Sequence, residues 1–274
     1  MDNPVRAVIF RRMQKQSDII IVGGGLNGPA LALALAQTGF SVTVIDALSE
    51  KIRRNAAFDG RSYALALTSQ RLLDGIGIWQ DIAEHAEPML EIKVTDGRAG
   101  EGPSPFFMQF DHADLEEGPM GYMVEDRHVR RAFLDAMAAT PDITHLSGKT
   151  VVAQSVGPAS ASVTLDSGKI ITGSVLIGSD GRASGTAERA GIKRTGWGYG
   201  QTALVCAVAH EKPHNGIAHQ FFMPPGPLAI LPLTGNRCSI VWSETDAEAQ
   251  RINAMDDAGY LDVLRPRFGD FLGD

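Results

Sequence analysis

The chain has little of what marks secreted, membrane-spanning or nucleic-acid-binding proteins. Only two cysteines occur, Cys206 and Cys238, and no CxxC pair, so we predict reduced core thiols and no disulfide framework. No apolar run approaches the roughly 18 residues that a membrane span needs. The net charge of −7 argues against nucleic acid as a partner. The 274 residues, 44% of them hydrophobic, suffice for one large globular domain or two interlocked ones.

Motifs for several other chemistries are incomplete or missing. Gly148-Lys149-Thr150 resembles the end of a phosphate-binding P-loop, but Ile143 stands where that loop needs its first glycine. No G-x-S-x-G nucleophile motif occurs. Proline and glycine interrupt the segment that holds His210, His214 and His219, so these histidines do not share one helical face. We therefore predict a turn with exposed histidines and no metal site.

Residues 19–46 form the most informative stretch, because they read as strand, glycine turn, helix, strand and acid. Residues 19–22 are a short apolar β-branched run, which is typical of a buried parallel strand. Gly23, Gly25 and Gly28 then form G-x-G-x-x-G. In such a motif the first glycine makes the tight turn and the second lets the backbone approach a pyrophosphate. The third brings the helix close to the sheet.

Two further features favour a dinucleotide site. The helix that follows has Pro29 in its first turn, and its N-terminus offers free N–H groups and a partial positive charge to phosphates. Asp46 follows Gly28 by 18 residues, at the end of the second predicted strand, where an acid accepts hydrogen bonds from ribose hydroxyls. The alternative is a βαβ unit with an accidental glycine turn.

The remaining patterns predict how this first unit is elaborated. Helices are predicted over 62–79 and 127–139, and strands over 89–111, over 143–177 as a meander, and over 201–245. No internal repeat or low-complexity linker separates these segments. Their order fits a nucleotide-binding half that is interleaved with a second sheet.

Several motifs occur in the order of one enzyme family. Residues 59–65 (DGRSYAL) match its D-x-R-x-x-A-L stretch, residues 175–184 its strand that ends in Asp-Gly, and residues 221–233 (FFMPPGPLAILPL) its substrate sheet. With the glycine motif and Asp46, these residues make the chain resemble the flavoprotein aromatic monooxygenases built like p-hydroxybenzoate hydroxylase. Within them it is most similar to the ubiquinone-biosynthesis hydroxylases.

The resemblance implies an α/β fold in which a Rossmann-like FAD-binding domain is interleaved with a mostly antiparallel substrate-binding sheet. We expect the FAD-binding domain over 17–88 and 118–192, and the substrate sheet over 89–117 and 193–274. Residues 1–16 lack the apolar segment and cleavage pattern of a secretory signal, and we expect them to form a flexible extension.

The resemblance also implies a reaction. FAD would be the cofactor, NAD(P)H the electron donor, and molecular oxygen the oxidant in the hydroxylation of a prenylated phenol or quinol precursor of ubiquinone. The flavin carries this chemistry, so we assign no side chain as a catalytic residue and expect no metal. We expect a cytoplasmic enzyme that meets its apolar substrate at the inner-membrane surface or in a biosynthetic complex, without nucleic acid as a partner.

Flavin-binding residues follow from the family motifs position by position. We expect the three motif glycines at the pyrophosphate, Asp46 at the adenosine ribose, and Arg61 on the phosphate and ribitol side. Asp180 and Gly181 are expected near the ribitol and pyrophosphate. The alternatives are a surface arginine for Arg61 and a strand-end turn acid for Asp180.

Further positions concern the substrate pocket and a variable position near the flavin. Phe221, Phe222 and Leu231 are candidates to line the apolar substrate pocket, and ordinary core packing is the alternative for them. The family often has Asn, Gln or Arg near the flavin where this chain has Asp126. We therefore assign no role to Asp126 or to the neighbouring Arg127.

One family motif has no counterpart in the chain. The family continues with a strand ending in Gly-Asp, then Ala-His and a proline-glycine loop at the isoalloxazine. The late Gly-Asp pairs here, at 269–270 and 273–274, lack that sequel. We therefore expect a substrate domain truncated at the C-terminus and a poor hydroxylase. The alternative function is a catalytically incomplete FAD-binding remnant or partner subunit. An NAD-dependent dehydrogenase would leave the D-x-R stretch and the Asp-Gly strand unexplained.

Overall fold

A computed structural model describes residues 17–114 and 117–274, so the extension expected at 1–16 lies outside the described residues. The strands of the described residues are, in chain order, β1 (Ile19–Val22), β2 (Val42–Asp46), β3 (Ser62–Ala66), β4 (Ala86–Met89), β5 (Glu91–Arg98), β6 (Gly102–Asp111), β7 (Gly121–Glu125), β8 (Ile143–Ser147), β9 (Val151–Val156), β10 (Ala161–Leu165), β11 (Ile170–Gly173), β12 (Val175–Gly178), β13 (Gln201–Ala209), β14 (Ile217–Met223), β15 (Gly226–Leu233) and β16 (Arg237–Thr245). The helices are α1 (Asn27–Gln37), α2 (Glu50–Arg53), α3 (Leu67–Gly75), α4 (Trp79–Ile82), α5 (Asp126–Ala139), α6 (Gly185–Arg189), α7 (Asp246–Asn253) and α8 (Asp257–Phe268).

The chain folds as two units. The first comprises residues 17–53 and Phe133–Lys193, and the second comprises the described residues of Arg54–Ala132 together with Arg194–Asp274. Helix α5 therefore begins in the second unit and ends in the first.

The first unit is built on a parallel sheet of four strands in the order β12-β1-β2-β8. Ile20 and Ile21 of β1 are completely buried, as expected for a β-branched run covered on both faces. A second, antiparallel sheet in the order β11-β10-β9 contributes Val163 and Ile171 to the buried cluster that contains Ile20. The predicted Rossmann-like arrangement around β1 is thus confirmed.

The second unit is built on a sheet of six strands in the order β13-β16-β15-β14-β5-β6. Neighbouring strands are antiparallel except β14 and β5, which run parallel. This confirms the prediction of a mostly antiparallel second sheet. Helices α7 and α8 cover one face of it, where Leu264 and Phe268 are buried with Trp242.

The two units divide the chain at other positions than the predicted domain boundaries, which stay a prediction. Residues 54–88 and 118–132, expected with the FAD-binding domain, lie in the second unit, and Lys193, expected with the substrate sheet, lies in the first. The physical reason is a small sheet in the order β3-β7-β4. Its residues Met89 and Met123 are buried together with Leu233 and Ala218 of the six-stranded sheet.

The helix predicted over 62–79 is wrong at its start. Strand β3 occupies Ser62–Ala66, and only then do α3 and α4 follow. Strand β3 pairs antiparallel with β7, so that Ser62 lies opposite Glu125. This pairing with a segment distant in sequence outweighs the local helical pattern.

The prediction of exposed histidines is also wrong, because His219 is half-buried within β14 and the other two are buried. His210 and His214 are buried. His214 accepts a hydrogen bond from Gly216 N–H at Nδ1 (3.1 Å), and its Nε2 donates to the Leu233 carbonyl oxygen at 2.8 Å. These histidines therefore stabilise the turn between β13 and β14 from within.

Two further findings concern the thiols and the helices. Both cysteines are free thiols, as predicted. Within residues 17–114 and 117–274, no helix is long and apolar enough to cross a membrane.

Adjacent phenylalanines of β14 point to opposite faces of the second sheet. Phe221 is 4% exposed and packs in the cluster beneath α7 and α8, whereas Phe222 is 53% exposed. We predict that Phe221→Ala lowers the free energy of unfolding by about 3–5 kcal/mol. Phe222→Ala should change it by less than about 0.5 kcal/mol. Urea unfolding of both variants, followed by tryptophan fluorescence, checks this, and equal losses would contradict the assignment of faces.

Candidate functional site

The carboxyl ends of β1, β2 and β12 meet at one edge of the parallel sheet, beside a pocket of about 490 Å³. Open α/β sheets bind ligands at such edges. The pocket brings together residues that the sequence singled out, namely Gly23, Gly25, Asp46, Asp180 and Gly181.

Each position of the G-x-G-x-x-G turn is occupied by glycine for a different steric reason. Gly23 has a φ of 121°, and a Cβ there would lie 2.2 Å from the Ser179 carbonyl oxygen. A Cβ on Gly28 would lie 1.9 Å from the Gly23 carbonyl oxygen, so only glycine lets α1 pack this close to β1. A Cβ on Gly25 would meet no protein atom within 4 Å. The turn therefore combines two packing glycines with one that leaves room for a ligand.

Helix α1 begins beside this turn with amide groups that no side chain caps. Its N-cap residue, Leu26, makes no side-chain hydrogen bond, and no acidic residue lies in the first turn. Pro29, also in that turn, has no N–H to satisfy. Uncapped amides at the positive end of a helix favour an anion such as a diphosphate.

Asp46 ends β2 and is only 2% exposed. Its Oδ1 accepts a hydrogen bond from Leu48 N–H at 3.0 Å. Arg53 of α2 donates from Nε to Oδ2 at 2.6 Å and from Nη2 to Oδ1 at 3.0 Å. A Cβ on Gly24 would lie 2.2 Å from Asp46 Oδ2, so this glycine also makes room for the carboxylate. The acid expected at a ribose is thus fixed at the pocket wall by a bidentate ion pair.

Sequence reasoning missed the cations of this pocket. Arg53, Lys149 and Arg189 all line it. The Lys149 N–H donates to the Asp46 carbonyl oxygen at 2.9 Å, and Arg189 Nε donates to Gln154 Oε1 at 3.2 Å. Cations beside an uncapped helix N-terminus suit a ligand that carries phosphates. Arg53 and Arg189 belong to no spaced motif, and Lys149 stood only in the incomplete P-loop pattern at 148–150, so the sequence did not place them at this pocket.

Asp180 and Gly181 form the turn that follows β12. Ser184 Oγ donates to Asp180 Oδ1, and Thr186 donates its N–H and its hydroxyl to Oδ2 at 3.0 and 2.9 Å. Burial would raise the pKa of Asp180, but these hydrogen bonds outweigh it and hold the pKa below its ordinary value of 3.8. Asp180 therefore organises the start of α6 while it lines the pocket.

Arg61 belongs to the second unit, directly before β3. Its Nη2 donates to Asp59 Oδ2 at 2.6 Å and lies 3.0 Å from Asp126 Oδ2. Asp126 is 2% exposed, and it also accepts a hydrogen bond from the Tyr63 hydroxyl at 2.7 Å and pairs with Arg130 Nε at 2.5 Å. A flavin contact by Arg61 stays a prediction.

The candidates for the substrate pocket do not share one wall. Phe221 belongs to the core beneath α7 and α8, in agreement with its alternative interpretation. Phe222 is exposed on the opposite face. Leu231 packs on that same face against Met123 and Leu233. For Phe222 and Leu231 a substrate contact stays a prediction.

Comparison with known sequences points to one family. The family described as FAD binding domain matches residues 16–270. Ubiquinone hydroxylase UbiL of Rhodospirillum rubrum is 42% identical over 259 residues, which cover 94% of this chain and 59% of that protein. The 3-demethoxyubiquinol 3-hydroxylase of Escherichia coli is 32% identical, over 94% of this chain and 65% of that enzyme. The chain thus spans about three fifths of the length of these relatives.

Solved structures share the fold. PqsL of Pseudomonas aeruginosa in complex with 2-aminobenzoylacetate has a TM-score of 0.76 at 20% identity, over 93% of this chain and 68% of that one. A variant of HpxO from Klebsiella pneumoniae complexed with FAD has a TM-score of 0.70 at 19% identity, over 91% and 67%. At these identities the likeness concerns the fold alone.

We predict that Gly25→Ala leaves the fold intact but weakens FAD binding about tenfold or more, because the new methyl group takes the space that lets a diphosphate approach the backbone. Gly75→Ala is the matched control, since a Cβ there also meets no protein atom within 4 Å but lies on α3, outside the pocket. Calorimetric titration with FAD and urea unfolding of both variants check this. Unchanged FAD affinity in Gly25→Ala would show that the ligand does not approach this backbone.

We also predict a pH dependence from Asp180. Because its pKa is lower in the folded protein than the ordinary 3.8, its contribution to stability is present above about pH 4 and is lost as the pH falls through the folded-state value. The difference in unfolding free energy between the wild type and Asp180→Asn should therefore shrink as the pH falls below about 4. Asp262→Asn, on the exposed side of α8, is the control. A difference that stays constant with pH would refute the prediction.

Proposed function

Because the chain belongs to the FAD binding domain family, we propose that it forms the flavin-binding portion of an FAD-dependent aromatic-ring hydroxylase of ubiquinone biosynthesis. One observation carries the proposal. The glycine turn and the fixed carboxylate of Asp46 line one pocket of the first unit, and the uncapped start of α1 follows directly after that turn. That pocket lies in a chain of which 94% aligns with a relative named ubiquinone hydroxylase.

The residues of this pocket fit the ADP half of FAD. Gly25 would give the diphosphate access to the first amides of α1, which no side chain satisfies. Asp46, oriented by Arg53, would accept hydrogen bonds from the adenosine ribose. The prediction for Arg61, a contact on the phosphate and ribitol side of FAD, is kept as part of the proposal. The bound flavin would supply the redox chemistry that activates oxygen.

The remaining task of the protein is to bind the ring and exclude water. The relatives are named ubiquinone hydroxylase and 3-demethoxyubiquinol 3-hydroxylase. We therefore assign this chain a phenol or quinol ring with a prenyl tail as substrate and NAD(P)H as electron donor. Phe222 and Leu231 lie on one apolar face of the second sheet and are candidates to contact the substrate. An apolar tail of this kind would be met at a membrane surface or in a biosynthetic complex.

Oxygen transfer by the purified chain tests the function. The protein is saturated with FAD and supplied with NADH or NADPH, isotope-labelled oxygen gas, and either a prenylated phenol or its tailless analogue. In line with the poor hydroxylase expected from the sequence, we expect a low yield of labelled hydroxyl group on the prenylated ring and a still lower yield on the tailless one. The variant Gly25→Ala is the control that should lose product together with flavin.

Two other outcomes would redirect the assignment. Nicotinamide oxidation that yields peroxide without hydroxylated product would make this chain a flavin-binding partner or an incomplete hydroxylase. Equal turnover of prenylated and tailless phenols would reject the proposed substrate class while leaving the reaction type in place.

A further inference from the structure

We propose that Asp126 is a positioning residue that holds the guanidinium group of Arg61 in place for the flavin phosphate. The inference rests on the proposed function, because it takes Arg61 as a ligand of FAD. Asp126 itself would not touch the flavin.

Strand pairing brings these two residues together. In the antiparallel pair of β3 and β7, Ser62 lies opposite Glu125. Arg61, which precedes β3, and Asp126, which follows β7, are therefore the next opposed residues. The Asp126 N–H donates to the Arg61 carbonyl oxygen at 3.0 Å. The proximity of Arg61 and Asp126 thus depends on backbone pairing as well as on their side chains.

Asp126 is itself rigidly held. Its carboxylate is 2% exposed and accepts a hydrogen bond from the Tyr63 hydroxyl at 2.7 Å. Arg130, one turn later on α5 and also buried, pairs with it at 2.5 Å. Burial, and then the bond to Asp126, raise the pKa of Tyr63 to about 12, so the hydroxyl stays protonated and donates at neutral pH. A carboxylate with these partners is a fixed point in the unit.

Arg61, by contrast, is half exposed. Its side chain is 53% accessible, and so is 44% of the side chain of Asp59, its second partner. An exposed pair of this kind is worth little by itself, because water screens it and both side chains are flexible. The buried Asp126 provides the firm anchor at 3.0 Å from Nη2.

The two carboxylates leave one end of the guanidinium group available. Asp59 accepts hydrogen bonds from Nε and Nη2, and Asp126 lies against Nη2 as well. Among the described residues Nη1 has no acceptor, so its N–H groups can bind an anion. Holding the group in advance lowers the rotational freedom that Arg61 loses when it binds a phosphate.

A double-mutant cycle on FAD affinity tests the proposal with a readout other than activity. We expect Arg61→Gln to raise the Kd for FAD about ten- to hundredfold, as for a lost charge-assisted hydrogen bond. Asp126→Asn should raise it about three- to tenfold, the cost of ordering one long side chain. In the double variant the Kd should equal that of Arg61→Gln alone.

Glu125 offers a matched control. It is buried beside Asp126 and is held by Arg127 at 2.7 Å and by Arg237 at 2.7 Å, without a contact to Arg61 among the described residues. Glu125→Gln removes the same charge at the next position, and we expect the Kd for FAD to change by less than about twofold. Tyr63→Phe removes one donor to Asp126 and keeps the carboxylate. It should weaken FAD binding slightly, and it keeps the test decisive where Asp126→Asn fails to fold.

The outcomes separate this proposal from the proposed function. If Arg61→Gln weakens FAD binding but Asp126→Asn and Tyr63→Phe do not, Asp126 does not position Arg61, and the flavin site stands. Additive losses in the double variant, or an equal loss in Glu125→Gln, would likewise overturn the positioning role. If Arg61→Gln binds FAD like the wild type, Arg61 is not a flavin ligand and both assignments fail.

Discussion

Close backbone contact around Gly23 is the constraint on which the first unit depends. A Cβ on Gly23 would lie only 2.2 Å from the Ser179 carbonyl oxygen, and a Cβ on Gly28 would lie only 1.9 Å from the Gly23 carbonyl oxygen. The ends of β1 and β12 and the start of α1 therefore converge to distances that no side chain permits. This convergence places the glycine turn and the carboxylate of Asp46 at one pocket, with the uncapped start of α1 directly after the turn. The architecture of the sheet and the chemistry of the site thus have the same steric origin.

Buried carboxylates at or beside strand ends are a second theme in both units. Asp46 at the end of β2 is bound by Arg53 of the helix that follows, and Asp126, directly after β7, pairs with Arg130 of the following helix and with Arg61. A buried carboxylate left without a cation would destabilise the fold by about 3–5 kcal/mol, so these pairs are under strong structural constraint. Each pair also fixes the position of a group assigned to the cofactor, Asp46 itself in one case and Arg61 in the other.

Local sequence predicted the features that depend on local sterics. The glycine spacing and the acid after β2 identified the pocket, because turn geometry and helix packing act over a few residues. Partners from outside a motif were not predictable in this way. Arg53 and Arg189 reach the pocket from positions without a spacing rule.

Features that depend on distant partners were predicted less well. Alternation along β14 shows that Phe221 and Phe222 point apart, but which of them is buried depends on helix α8, some 40 residues later. Strand β3 has a helical pattern and becomes extended only because β7 pairs with it. His214 looks like a loop residue until the carbonyl group of Leu233 is placed beside it.

The most direct measurement is a side-by-side calorimetric titration of the purified chain with FAD and with FMN. The pocket of the first unit is proposed to bind the adenosine and diphosphate half of FAD, and FMN lacks the adenosine and the second phosphate. We expect FAD to bind at least about a hundredfold more tightly than FMN, a difference of about 2.7 kcal/mol. Equal affinities for the two flavins, or tighter binding of FMN, would contradict the assignment of the glycine turn and Asp46 to FAD.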